Sequence, residues 1–231
     1  MDSPVALITG AARRIGAAIA RTLHSQGWRV ALHYRGSRQH ADALAAELNQ
    51  QRADSACCLQ ADLLDTAVLP GLVAAAAARW GRLDALVNNA SSFFPTPLGQ
   101  ISQADWDDLI GSNLKAPLFL AQAAAPHLAA QGGAIVGLID IHAERPMPGH
   151  TVYNLAKAGH AQLIRALALD WPRPSASTAL PPAPMSGPKA NRYSTPPPAR
   201  TSSAKSRCKE WANPKTWPRW WRFCCRQRRG M

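Results

Sequence analysis

Between residues 5 and 169 the chain switches back and forth between short apolar runs and segments of helical hydrophobic period, and this alternation leaves few folds open. Residues 5–9 are a short apolar run that ends at Gly10, the mark of a strand buried on both faces. Ile15, Ile19 and Leu23 then recur at helical spacing, and Gly27 closes that helix. The unit repeats. Residues 29–34 predict a second strand and 40–50 a second helix carrying Ala41, Leu44 and Leu48; 57–60 predict a third strand and 68–80 a third helix; 83–88 predict a fourth strand. Residues 106–131 predict a long helix, kinked or broken near Pro117 and Pro126, followed by a strand over 134–139 and a helix over 151–169. Strands and helices alternating at these lengths predict an α/β fold, a doubly wound parallel sheet covered on both faces.

The pattern stops at Asp170. Residues 172–231 hold eleven prolines, one leucine, one phenylalanine and no isoleucine or valine, too little apolar surface to offset the entropy of ordering. The net charge of +12 suggests a polyanionic partner. Its distribution argues otherwise. Residues 1–171 carry thirteen basic and thirteen acidic side chains, whereas 172–231 carry thirteen basic side chains and Glu210 alone as an acid. The expectation is a folded domain over 1–170 and an irregular, disordered basic tail over 171–231. The cysteines, Cys57, Cys58, Cys208, Cys224 and Cys225, show no C-x-x-C spacing, and adjacent cysteines rarely bond each other. They read as free thiols of a reducing compartment. Met1-Asp2-Ser3-Pro4 leads straight into a strand and no apolar run reaches membrane length, so the expected location is cytoplasmic, with no membrane partner. The spacing of His142, His150 and His160 matches no metal site, and none is expected.

Thr9-Gly10-Ala11-Ala12-Arg13-Arg14-Ile15-Gly16 joins the first strand to the first helix. Glycines there let backbone approach a ligand, and a helix N-terminus favours a diphosphate. Strand before and helix after is the setting in which such a turn binds a dinucleotide. The end of the second strand bears on which one. An acid there would bind a ribose 2′-hydroxyl and repel a 2′-phosphate. The chain reads His33-Tyr34-Arg35-Gly36-Ser37 instead, so Arg35 and Ser37 can both donate to phosphate, and Arg13 and Arg14 add positive charge nearby. The expected cofactor is NADPH.

Tyr153-Asn154-Leu155-Ala156-Lys157 puts a phenol and an ammonium at i and i+4 on one helix face. The ammonium is expected to lower the tyrosine pKa toward working pH, which suits Tyr153 to proton transfer. Upstream, in order, come the glycine turn, Asn88-Asn89-Ala90 behind the fourth strand, and Asn113 in the long helix. Together these resemble the short-chain dehydrogenase/reductase family through Asp170. The resemblance implies a Rossmann fold in which Tyr153 donates a proton, Lys157 also binds the nicotinamide ribose and Asn113 helps hold a relay water. It implies cofactor contacts from Gly10, Arg13, Arg14, Ile15, Gly16, Tyr34, Arg35, Ser37, Asp62, Leu63, Asn89, Ala90 and Ser91, besides Tyr153 and Lys157.

In most of that family a serine stands where this chain has Asp140. A pteridine-reducing subgroup carries aspartate there, and three further stretches are similar to it: T-G-A-A-R-R-I-G, H-Y-R-G-S, and the run from Asn88 to Leu98 that contains Ser91-Ser92-Phe93-Phe94. This resemblance implies that Phe93 packs on a pterin, that Arg14 and Ser91 bind pterin edges and cofactor phosphate, and that Asp140 works with Tyr153. The implied reaction is NADPH-dependent reduction of a pteridine C=N bond. Two other readings stand beside it: a carbonyl or 3-oxoacyl reductase of the same fold, disfavoured by Asp140 and Phe93, and a nucleic-acid-binding protein using the basic tail, disfavoured by the reading of that tail below.

The family continues past the last helix with two more strands, a Pro-Gly turn, a substrate loop and a further helix, none visible here. If one base is missing after the Asp170 codon, each intended codon is the last base of one printed codon plus two of the next. Trp171-Pro172 then encodes alanine, Met185-Ser186 valine for a TCN serine codon, Trp220-Trp221 valine, and Phe223-Cys224 and Cys224-Cys225 leucine. Free wobble bases allow Asn-Gly-Ile-Ala-Pro-Gly from residue 178, similar to the absent strand and turn. Residues 171–231 thus read as an out-of-frame translation, and the resemblance implies a homotetramer once that frame is intact.

Overall fold

The computed structural model describes residues 3–170. Five strands, β1 Val5–Ile8, β2 Arg29–Tyr34, β3 Ala56–Gln60, β4 Ala85–Asn88 and β5 Ala134–Gly137, form one sheet in the order β3-β2-β1-β4-β5. Every pairing is parallel; Leu7 lies beside Ala31 and Leu86, and Val87 beside Val136. The connecting helices are α1 Arg14–Ser25, α2 Arg38–Gln51, α3 Leu69–Ala78, α4 Gln103–Ile110, α5 Ala116–Gln131 and α6 Thr151–Asp170. Parallel neighbours need such crossovers, and the strand order reverses between β1 and β4, which opens a crevice at the carboxyl ends of the strands. This is the expected Rossmann-type sheet.

The central strands are buried on both sides, which is why they read as unbroken apolar runs. Val5, Leu7 and Leu86 pack with Leu72 and Val73 of α3 and with Leu120 and Leu128 of α5 in one core. The other face is covered by α1 and α2 through Ala17, Ala20, Leu44 and Leu48. Ile15 departs from the expected inward stripe: it is 63% exposed, because the buried face of α1 is set by Gly16, Ala17, Ala20, Leu23 and His24.

The expected break in the long helix falls just before Pro117, over Gly111–Lys115, where the chain makes one π-helical turn between α4 and α5. The helical backbone runs on through Lys115 into α5, so Pro117 follows that turn directly, and Pro126 is accommodated inside α5. A Ser102–Asp105 capping box starts α4. The expected irregular tail over 171–231 lies outside the described residues. Among the described residues β5 is an edge strand, and no helix is long and apolar enough to cross a membrane.

Candidate active site

The turn after β1 is braced from both flanks. On the β4 side, the Asn89 side-chain amide donates to the carbonyls of Thr9 and Gly10 at 2.8 and 3.1 Å. The Thr9 hydroxyl oxygen accepts from the amides of Asn89 and Ala90 at 2.9 and 3.0 Å. Gly16 must be glycine here: a Cβ would stand 2.3 Å from the Gly10 carbonyl oxygen. Gly10 has φ +62° and lies against the backbone of Ala90. On the β2 side, the Gly10 amide donates to His33 Nδ1 at 3.2 Å and the Ala11 amide to the His33 carbonyl at 2.8 Å.

Every residue expected to bind a cofactor lies just past the carboxyl end of a strand or at the start of the helix that follows, apart from Tyr153 and Lys157 on α6. Arg13 precedes α1 and Arg14 opens it, both exposed, and no acid stands in its first turn. Arg14 adopts φ +51°, a conformation an L-residue rarely takes. Tyr34 ends β2 and is buried, Arg35 is exposed and Ser37 precedes α2. Asp62 and Leu63 follow β3; the Asp62 carboxylate accepts from the Leu64 amide at 3.0 Å, and Leu63 is buried. Asn89, Ala90 and Ser91 follow β4.

The second half of the site hangs from the π-helical turn and α6. Asn113 is fully buried in that turn, where its amide donates to the carbonyls of Ser92 and Leu109, each at 3.0 Å. Its Oδ1 accepts the Ser91 hydroxyl at 2.6 Å. Asp140 caps a short 3₁₀ turn, Ile141–Ala143, by accepting the His142 amide at 2.7 Å on Oδ1. Its other oxygen accepts the Tyr153 hydroxyl. Lys157 donates to the Leu138 carbonyl at 3.2 Å, and its Nζ lies 5.6 Å from the centroid of the Tyr153 ring. Tyr153 and Lys157 are both buried. Phe93 stands edge-on to Tyr153 at 4.8 Å between ring centroids and leaves more than half of its surface open.

The chain matches the family model for short chain dehydrogenase over residues 4–179. It belongs to the short-chain dehydrogenase family. Among curated proteins it is similar to pteridine reductase 1 of Leishmania tarentolae, 41% identical over 206 residues, covering 73% of this chain and 71% of that one. It is also similar to a 3-oxoacyl-[acyl-carrier-protein] reductase of Staphylococcus aureus, 35% identical over 164 residues, covering 71% of this chain and 66% of the relative. D-threitol dehydrogenase of Mycolicibacterium smegmatis is 36% identical over 178 residues, covering 74% and 65%. The chain therefore spans about two thirds of the length of these relatives. Membership makes it an oxidoreductase of the short-chain dehydrogenase kind, which implies a nicotinamide cofactor, and the residues present fit one. The turn leaves no side chain at Gly10 and Gly16, α1 begins without an acid, and Arg13, Arg14 and Arg35 face solvent around it.

One expectation for this short-chain dehydrogenase is overturned. Tyr153 is not shifted toward phenolate. Burial pushes its hydroxyl well above the usual phenol range, and the Asp140 carboxylate that accepts its hydrogen bond adds to this; only the Ser91 hydroxyl works the other way. Lys157 sits beside the ring and not at the oxygen, while burial lowers its own ammonium against the pull of Asp140. Tyr153 is therefore held as a neutral phenol. Two further groups escaped the sequence reading. His33 grips the turn, and His150 stacks on Phe93 at 4.9 Å with the rings within 11° of parallel. An aromatic residue three positions before Tyr153, one short of a helical turn, is the signal that could have found the second.

Proposed function

We propose that this protein reduces a pteridine ring with NADPH. The observation that carries the reading is the grouping of Asp140, Tyr153 and Phe93. A carboxylate bonded to the acid replaces the neutral hydroxyl of most of the family, and an open aromatic face stands beside it. A flat heteroaromatic ring gains most from such a face. The similarity to pteridine reductase 1 of Leishmania tarentolae supports the same substrate class.

NADPH supplies the hydride when bound. Arg13, Arg14, Arg35 and Ser37 would hold its phosphates, with no acid at the end of β2 to exclude the 2′-phosphate. Tyr153 carries the proton delivered to ring nitrogen, and burial extends its protonated range further into alkaline pH. Asp140 orients the hydroxyl and, half-buried at the site rim, connects it to solvent protons. Lys157, anchored on the Leu138 carbonyl, supplies positive charge beneath the tyrosine ring. Asn113 fixes Ser91 at the substrate side.

The proposal includes the tail. Residues 171–231 are an out-of-frame translation, and the intended chain continues the sheet beyond β5 and assembles as a tetramer. Support comes from the family match, which stops at residue 179, and from β5, whose Ala134 is exposed. Absorbance at the NADPH band with dihydrobiopterin, a simple ketone and a 3-oxoacyl thioester tests the substrate class, using this chain and a version with one base restored after the Asp170 codon. Oxidation of NADPH by the restored chain with dihydrobiopterin and not with the ketone is the expected result. Preference for the thioester would move the protein to the oxoacyl reductases.

A further inference from the structure

His33 is 2% exposed and lies in register with Leu59 of β3. Its two ring nitrogens reach to opposite sides. Nδ1 accepts the Gly10 amide at 3.2 Å, and Nε2 lies 3.1 Å from the Ala61 carbonyl oxygen. An amide can only donate and a carbonyl can only accept, so these two partners admit one state of the ring: neutral, with the proton on Nε2. Its own carbonyl takes the Ala11 amide as well. One residue thus occupies two amides of the glycine turn and spans from that turn to the loop that opens on Asp62 and Leu63.

The surroundings keep the ring in that state. Burial lowers its tendency to take a proton, opposed by the bond to Ala61 and by Asp62, the charged group that acts on it. Its hydrogen-bond partners at the turn, the amides of Gly10 and Ala11, are uncharged, and Leu59 lies beside it in β3. A protonated ring would aim N–H at the Gly10 amide and open the contact.

We infer that His33 is a positioning residue for the cofactor: as the neutral Nε2–H tautomer it sets the spacing between the diphosphate turn and the Asp62–Leu63 loop. The inference rests on the reading above that this turn faces the diphosphate of a nicotinamide dinucleotide and that Asp62 and Leu63 contact the same cofactor. Gly10 and Ala11 then spend their amides inside the protein, so the backbone donors left for a diphosphate are those at the start of α1.

Two measurements on the full 231-residue chain test it. The first is ¹⁵N NMR of the imidazole without cofactor. His33 is expected to show a protonated Nε2 and an acceptor Nδ1, and to keep that signature through the pH range where free histidine titrates. A protonated Nδ1, or titration at the ordinary histidine pKa, overturns the inference. The second is NADPH affinity, read by quenching of protein fluorescence. His33→Leu fills the space but holds neither partner, and should weaken binding about tenfold or more, the loss typical of an unmade buried hydrogen bond. His33→Asn keeps an acceptor at the Nδ1 position but loses the reach to Ala61, and its affinity should fall between those of the parent and the Leu variant. Equal affinity in the Leu variant overturns the inference. Failure of both the unsubstituted chain and its version with one base restored after the Asp170 codon to bind NADPH at any pH is a different outcome. It removes the dinucleotide reading, while the imidazole spectrum still reports whether His33 is the pin of this turn.

Discussion

The Tyr153 hydroxyl gives its hydrogen bond to the carboxylate of Asp140, 13 residues earlier in the chain, at the point where β5 hands over to a 3₁₀ turn. Burial first, and that contact second, keep the proton on the phenol. Asp140→Asn removes the charge while leaving an acceptor for the His142 amide. Turnover with dihydropterin should fall about a hundredfold, the scale of a lost acid–base partner, with NADPH affinity unchanged. The direction of the pH effect follows from the shift. A carboxylate raises the tyrosine pKa, so its removal lets Tyr153 ionise at lower pH, and the alkaline limb of kcat should move down. Steady-state rates across pH for the parent and the variant check both halves.

Arg14 holds a backbone conformation that suits glycine better than arginine. Such strain persists where a side chain is needed, here as a donor at the mouth of the crevice. Arg14→Gly should raise stability by about 1 kcal/mol, or about 3 °C in melting temperature for a chain of this size. The same change should weaken NADPH and pterin binding together. A calorimetric scan and a binding titration would show the two effects moving in opposite directions; loss of stability with binding unchanged would remove Arg14 from the site.

Cofactor choice rests on Arg35 and Ser37 in place of an acid. Arg35→Asp replaces a donor to the 2′-phosphate by a charge that repels it and accepts from a 2′-hydroxyl. The ratio of kcat/KM for NADPH over NADH should drop by about tenfold to a hundredfold, which comparison of the two cofactors at fixed dihydropterin measures directly.

Much of this fold could be read from hydrophobic period because β1, β2 and β4 are buried on both faces and α1, between the first two, is amphipathic. What escaped shares a physical origin. The break in the long helix was expected near Pro117 and lies just before it, at Gly111–Lys115, but its π-helical form was not foreseen; there Asn113 turns inward to bind the carbonyls of Ser92 and Leu109. That is a tertiary demand, invisible to local propensity. The grip of His33 on Gly10 depends on β1 and β2 lying side by side, which no spacing announces. The direction of the Tyr153 shift was misjudged for a related reason: i and i+4 spacing places Lys157 near the ring, but the depth of burial and the Asp140 carboxylate decide the pKa.

His160 gives the sharpest test of the packing. It lies on α6 with 2% of its surface exposed, above Gly137 of β5, where an added Cβ would come within 2.6 Å of Nε2. Neither ring nitrogen has a hydrogen-bond partner among the described residues. Burial first, and the nearby Lys157 ammonium second, push its pKa down to about 4 from an ordinary 6.5. The sign of the linkage is then set. Above pH 6.5 the ring is neutral in both folded and unfolded chains and imposes no pH dependence. Between 6.5 and 4 the unfolded chain takes a proton that the folded one refuses, so stability falls as the medium is acidified, by about 3 kcal/mol in all. His160→Leu should raise stability at pH 8 by about 1 kcal/mol, through relief of the unpaired nitrogens, and flatten the acid side of the stability curve. Urea midpoints for the two chains at pH 8, 6 and 5 decide it: curves that stay parallel across that range would mean that His160 finds a partner in solution.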